Sequence, residues 1–268
     1  MMNISNELKE HLHNNKRNYF QIPESLEKEL DSSYLSKDSF GVKERWQIIQ
    51  ESFPSGSLGR IVELGGNNGF FCLSALDKKL GSDAIVYDLN KEAIRLGEIM
   101  AKEMDLDKIK FLEQEVNMDF VKSMDGADTI FSFNLMHWAG TSFDNELVRE
   151  LGWDNYMEAF FKELRGKFSK MVFSTGLQKY KPNHWNIANG KRAYEIEKIM
   201  ERSGWKVNYS ANVGDINVFG PSKANGMRKS FLNSLLLNNC YKVKRGLSKL
   251  MGSQSRGRKE AYHLYICE

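Results

Sequence analysis

The most informative string in the chain is residues 61–71, Ile-Val-Glu-Leu-Gly-Gly-Asn-Asn-Gly-Phe-Phe. A short apolar run that ends in glycines and opens a helix lets a ligand approach the backbone closely at a helix N-terminus. One helix and one short strand later, Ala-Ile-Val-Tyr-Asp ends in Asp88. An acid there falls at the switch point of an α/β sheet, where it can accept from both hydroxyls of a ribose. Two histidines can serve as a general base near neutral pH: His137, just past a fourth apolar run, and His184, in the loop after a fifth. The chemistry on offer is nucleotide binding at the glycine turn, with proton removal from an alcohol beside it.

These residues need elements to hold them, and the hydrophobic pattern supplies alternating ones. Apolar runs at 60–64, 84–87, 109–112, 129–134, 171–174 and 205–213 read as strands, and 261–267 alternates as a terminal strand. Between them, 70–80, 91–104, 155–168 and 193–203 read as helices. Strands separated by helices of roughly 10–15 residues mean crossover units and a mainly parallel sheet, so the class is α/β with one core domain. Ahead of the core, residues 5–14, 24–30 and 42–53 read as helices. Ser5 is the N-cap of the first, and Trp46, Ile49 and Phe53 form one stripe of the last.

Composition narrows the function classes. The chain has 268 residues, 41% hydrophobic and 27% charged, enough for a packed core in one large domain or two small ones. A mean hydropathy of −0.51, with no apolar run near roughly 18 residues, excludes a transmembrane helix. No apolar signal region follows the first methionine. Cys72, Cys240 and Cys267 lie far apart without a Cys-x-x-Cys pair, which argues against a zinc site or a disulfide framework. A cytoplasmic, reducing setting is therefore expected. Residues 221–268 carry ten bases against two acids, which leaves the rest of the chain at −5 although the total is +3. That asymmetry suits either an anionic partner or an ordinary solvated loop.

Two cofactors compete for the glycine turn. A dinucleotide site wants Gly-x-Gly-x-x-Gly, but Asn67 stands at the middle glycine and Phe70 at the last. The string instead resembles motif I of the class I S-adenosylmethionine (SAM)-dependent methyltransferases, E/D-x-G-x-G-x-G. Glu63, Gly65 and Gly69 match, Gly66 lies within the turn, and Asn67 replaces the middle glycine. The resemblance implies SAM as cofactor, Asp88 as its ribose-binding acid and Leu89 as the side chain covering the adenine. Residues 111–116 (FLEQEV) look like the family's third strand and following loop, which places Glu115 and Val116 near the adenine amino group. Residues 127–138 look like its fourth strand, whose end faces the methyl group, so Asn134 would bind SAM or the acceptor. The likeness spans roughly residues 58–215 and the last strand. It implies a Rossmann-like, mainly parallel seven-stranded sheet flanked by helices. An N-terminal helical cap (1–55) would precede a core of 56–220 plus 260–268. Residues 221–259 would be a basic insertion before the last strand, where the family usually has a short hairpin connection.

Methyl transfer from a sulfonium is an in-line displacement, so the protein chiefly aligns the acceptor. The run Asn-Leu-Met-His at 134–137 lacks the N-P-P-aromatic signature of enzymes that methylate amino groups of bases, and no Asp-Asp pair stands beside the fourth strand for a metal. The expected acceptor is a hydroxyl of a saccharide or other small molecule. Trp138 and the loop 179–185 (KYKPNHW) offer it aromatic faces and cations, and the N-terminal helices offer a lid. An RNA methyltransferase, gripping phosphates through the insertion, and a non-catalytic module of the same fold are the alternatives. Within 221–259, the apolar centre 231–237 with bases around it also suits an anionic membrane surface.

Overall fold

Alternating apolar runs pair into a single sheet in the computed structural model, which describes residues 4–14, 20–35, 41–176, 193–213 and 262–268. Its strands are β1 (Gly59–Leu64), β2 (Gly81–Asp88), β3 (Ile109–Glu113), β4 (Ala127–Phe133), β5 (Phe168–Gly176), β6 (Val207–Val213) and β7 (Tyr262–Cys267). Their order is β3-β2-β1-β4-β5-β7-β6. All pairs are parallel except those of β7, which runs antiparallel between β5 and β6. The chain leaves β1 toward β2 and β3, then crosses back to β4 on the other side. The strand order therefore reverses between β1 and β4, and the crevice outside their carboxyl ends is where such sheets take ligands.

Helices cover both faces. α4 (Phe70–Asp77), α5 (Lys91–Glu103) and α6 (Met118–Ser123) follow the first three strands, α7 (Asn145–Leu151) and α8 (Trp153–Arg165) follow β4, and α9 (Ala193–Arg202) precedes β6. Alternation in the strands sorts the core. Met171 and Phe173 of β5 face α8 and α9 with Phe160, Phe161 and Ile199, while Val172 faces the opposite side with Phe71, Phe131 and Leu264. On that second side α3 (Val42–Ser52) lays Trp46 and Ile49 into the core. α1 (Asn6–Asn14) and α2 (Glu24–Glu27) pack instead against α4 and α5, through Leu8, Leu12 and Leu26 against Leu73, Leu96 and Met100.

Several boundaries differ from the sequence reading for local reasons. The helix expected over 155–168 runs Trp153–Arg165, because Gly166 ends it and Phe168 enters β5. The second N-terminal helix stops at Glu27, short of the expected residue 30. Ser5 does act as a cap, its Oγ accepting from Leu8 N–H at 3.2 Å. The sequence pattern does not show α6 and α7; α6 is only six residues long, too short for a helical period to show, and is capped by Asn117, which accepts from Phe120 N–H at 2.9 Å. Among the described residues no helix is long and apolar enough to cross a membrane. The insertion 221–259 lies outside the described residues.

One polar tie fixes the loop after β3 to the helices after β4. Asp144 Oδ2 accepts from Met118 N–H at 2.7 Å and from the Tyr156 hydroxyl at 2.6 Å, and Tyr156 is fully buried in α8. Burial and the Asp144 carboxylate both push the Tyr156 phenol up, so it stays a donor. Removing it with Tyr156→Phe should destabilise the fold by about 1.5–3 kcal/mol, the range for hydrogen bonds to charged groups. Urea unfolding checks this, and a change below roughly 0.5 kcal/mol, the size usual for surface substitutions, would show that the tie is not holding the loop.

Candidate functional site

The turn after β1 is tied to the end of β2. Gly65 and Gly66 both donate their N–H to Tyr87 O, at 2.9 and 3.1 Å. Gly65 and Gly69 have φ of +65° and +67°, and Asn67 reaches +52°. Asparagine tolerates this left-handed region better than most residues, which explains how it replaces a glycine here. Gly66 is needed for room. A Cβ there would lie 2.6 Å from Val86 Cγ1 and 2.9 Å from Glu63 Cδ.

Asp88 holds the centre of the arrangement. Its Oδ2 accepts from Asn67 N–H at 2.7 Å and its Oδ1 from Asn90 N–H at 2.8 Å. Asn90 in turn caps α5, accepting from Glu92 and Ala93 N–H, and Gln114 N–H reaches Asp88 O at 3.0 Å. A carboxylate offers about four lone-pair sites, so two hydroxyl donors can still be taken. Leu89, the next residue, is 61% exposed, an unusual position for a leucine unless something flat covers it.

Glu63 is buried beneath the turn, and its Oε2 has no hydrogen-bond partner. Burial pushes its carboxyl up to about 8, against hydrogen bonds from Cys72 and the pull of Arg45, while the Asp88 charge adds to the rise. The Cys72 thiol is itself raised by burial and by Glu63. At the end of β4, Asn134 takes a φ of +56°, donates its N–H to Ser174 O at 2.8 Å, and keeps a buried Oδ1 without a partner. A left-handed non-glycine residue beside an unmet acceptor is a recurring mark of a ligand site.

Leu135 follows and touches the glycine turn, its Cδ1 being 3.0 Å from where a Cβ of Gly65 would stand. Met136–Trp138 form a 3-10 turn, with the His137 ring tilted against Trp138 at 5.3 Å. Burial lowers His137 to about 4, so its imidazole is neutral at physiological pH.

The structure thus gathers Glu63, Gly65, Gly66, Asn67, Gly69, Asp88, Asn134 and the turn bearing His137 around one crevice. Leu89 and Glu115 stand exposed on its rim. Val116 sends its side chain into the core beside Met118, so only its backbone remains available to a ligand. His184 and the loop 179–185 lie outside the described residues. Trp153 is a core residue at the start of α8.

Two polar groups near the crevice were missed. Arg45 of α3 is 1% exposed, donates to Ser174 Oγ at 3.3 Å and lies 5.6 Å from the Phe71 ring and 5.7 Å from the Phe133 ring. His263 of β7 is joined through Ser210 to Glu197: Ser210 Oγ donates to Glu197 Oε1 at 2.5 Å and meets His263 Nε2 at 2.6 Å. Since the serine proton goes to the carboxylate, the imidazole must carry its proton on Nε2. Burial lowers His263 to about 3, which keeps it neutral.

No protein-family model matches the sequence, and no curated protein matches it. The fold does match solved structures. The whole chain aligns with 99% of a SAM-dependent methyltransferase from Geobacter sulfurreducens, solved with S-adenosyl-L-homocysteine (SAH), at 10% identity and a TM-score of 0.52. The fold is that of the class I SAM-dependent methyltransferases. A SAM-dependent methyltransferase from Aquifex aeolicus aligns over 91% of this chain and 97% of its own, at 15% identity and a TM-score of 0.47. TrmN from Thermus thermophilus aligns over 84% of this chain, at 10% identity and 0.43, and this chain spans about half of it, 47%.

Within the methyltransferase fold, the buried Glu63 makes stability depend on pH. Its carboxyl holds a proton in the folded chain up to about pH 8, whereas in the unfolded chain it ionises near 4.5. The folded state then binds the extra proton, so the Glu63 contribution is full below pH 4.5 and falls as pH rises toward 8. Glu63→Gln should remove that fall. Urea unfolding at intervals from pH 5 to 8 should show wild type losing stability relative to the variant, and parallel curves would contradict the protonated state.

Proposed function

We propose that the protein is a SAM-dependent methyltransferase that methylates a hydroxyl of a small molecule, a saccharide included. The observation that carries this reading is the pair of buried polar atoms without a hydrogen-bond partner, Glu63 Oε2 and Asn134 Oδ1, flanking a glycine turn clamped by Asp88. A cofactor with an amino-acid end, a ribose and a purine suits that sequence of groups. Bound SAM would supply an electrophilic methyl carbon on a sulfonium. The chain's own contribution is placement. The Asp88 carboxylate takes ribose hydroxyls, the exposed Leu89 covers an adenine, and Asn134 accepts from the cofactor's ammonium or from the acceptor.

His137 is the side chain placed for the proton step, although burial, which lowers it to about 4, makes it a weaker base than the near-neutral one such a step favours. A neutral imidazole on the turn after β4 accepts the hydroxyl proton as the new O–C bond forms, and Trp138 beside it offers a flat face. The described rim on the cofactor side is acidic. At the ends of β2 and β3 stand Asp88, Glu92, Glu113 and Glu115, while Lys91 is paired with Glu113 at 3.3 Å. Such a rim repels phosphates. The basic segment 221–259 supports RNA or an anionic membrane surface as a second reading. Binding to either would then fall steeply with salt.

Titration calorimetry with SAH tests the cofactor, and labelled SAM offered to hydroxyl-bearing small molecules and to RNA tests the acceptor. Asp88→Ala should weaken SAH by about 1.5–3 kcal/mol, the usual worth of charge-assisted hydrogen bonds. Gly65→Val should weaken it further, since the left-handed turn admits no branched side chain. Unchanged affinity in a folded Asp88→Ala protein would remove the cofactor assignment.

With the acceptor in hand, His137→Gln should slow single-turnover methyl transfer by roughly 10²–10⁴-fold, the range for a general base, and leave SAH affinity intact. A rate within a few-fold of wild type would reduce His137 to packing. A protein that binds SAH yet transfers methyl to nothing would favour the non-catalytic alternative.

A further inference from the structure

Asn68 lies inside the glycine turn, but its side chain points away from Asp88. It is 2% exposed, its N–H donates to Asn67 Oδ1 at 2.8 Å, and its Nδ2 donates to the main-chain carbonyl of Gln21 at 2.8 Å. Gln21 belongs to the segment between α1 and α2, where Phe20, Gln21 and Ile22 are all buried. Phe20 and Ile22 join the cluster that contains Leu73 of α4 and Ala93 and Leu96 of α5. Of these, Ala93 lies in the first turn of α5, beside the crevice, while Leu73 and Leu96 stand midway along their helices. On its other side the Asn68 carbonyl meets α5 so closely that a Cβ at Gly97 would lie 2.9 Å from it. Asn68 is therefore held between the N-terminal segment and α5, one residue from the amide that Asp88 clamps.

A short amide fits this position for a chemical reason. Aspartate would set an oxygen against the Gln21 carbonyl, and leucine would remove the amide donor that Asn68 supplies to it. The N-terminal segment thus braces the turn from behind, and the turn supplies the polar contact that seats the segment.

We propose that the N-terminal segment around Gln21 is coupled to the cofactor site through Asn68, so that seating the segment and filling the glycine turn stabilise one another. The proposal rests on the SAM reading above and makes Asn68 a positioning residue. Coupling between two binding events is reciprocal, so each must change the other by the same factor. Loosening the segment has to weaken the cofactor, and the cofactor has to protect the segment.

The test pairs calorimetry with hydrogen exchange on the full chain, with SAH as ligand. In wild type, SAH should slow amide exchange over residues 20–30 by more than it slows exchange in α8, although no residue of 20–30 is assigned a cofactor contact. Asn68→Leu should weaken SAH by about tenfold, the worth of one buried hydrogen bond, and abolish the extra protection. Ile22→Ala loosens the segment without altering the turn, and should also weaken SAH; it serves if Asn68→Leu fails to fold. Wild type that binds SAH with no extra protection at 20–30, or Ile22→Ala with wild-type affinity, overturns the coupling alone. Failure of wild type to bind SAH overturns the cofactor reading and the coupling with it.

Discussion

The carboxylate of Asp88 is the tie on which the rest of the crevice depends. It stands at the end of β2 and draws in the amide of the turn after β1 and the amide of the turn after β2. The same residue's carbonyl takes Gln114 N–H from the loop after β3. Three strand ends are thereby set against one another by one residue. Hydrogen bonds to a charged acceptor are roughly twice as strong as neutral ones, and both of these come from backbone, which has no rotamer to lose. Two charge-assisted bonds to backbone amides hold the turn in the shape seen here, and holding a site in one shape lowers what binding must spend on ordering.

Behind that charge, two buried ionisable groups of the crevice are held neutral. Glu63 carries the formal charge of a glutamate but holds its proton, and His137 is held in the uncharged form. Burial is the first cause in both cases, and it acts in opposite directions on an acid and a base. A count of charges along the sequence would place more charge in the crevice than the fold allows. Among the described residues the buried cation nearest these groups is Arg45, which is turned toward Ser174 and two phenyl rings.

What could be read from the sequence follows from how far each residue's role reaches. The glycine turn, Asp88 and the seven strands are set by local demands such as room at Gly66, left-handed backbone at Gly65 and Gly69, and alternation along β5. Those demands leave marks within a few residues. Asn68 leaves none, because its partner Gln21 lies 47 positions away and is a main-chain carbonyl that any residue could supply. Arg45 reads as a solvated base on an amphipathic helix until α3 is seen to press it into the core. His263 reads as one more residue of an alternating strand, and its role depends on Ser210 and Glu197 from two other elements. Val116 was assigned to a ligand by its place in a motif, while its hydrophobic side chain answered to the core. Helix ends failed where a glycine overrode the period, as Gly166 did before Phe168.

The position of β7 has a bearing on how the chain reaches this state. Among the described residues β6 has no neighbour in the sheet except β7, and β7 lies between it and β5. During synthesis β6 emerges with nothing to pair with, and it must wait until residues 262–267 have been made. Until then β5 is an open edge, with its hydrogen-bonding groups unpaired on that side, and such edges invite association with other chains. The connection of residues 214–261 adds little to the final cost of closure, since that cost grows only with the logarithm of loop length. Its burden falls on time instead, because pairings distant in sequence form slowly. Among the described strands β7 comes last in the sequence, and it is the one that covers the open edge of β5.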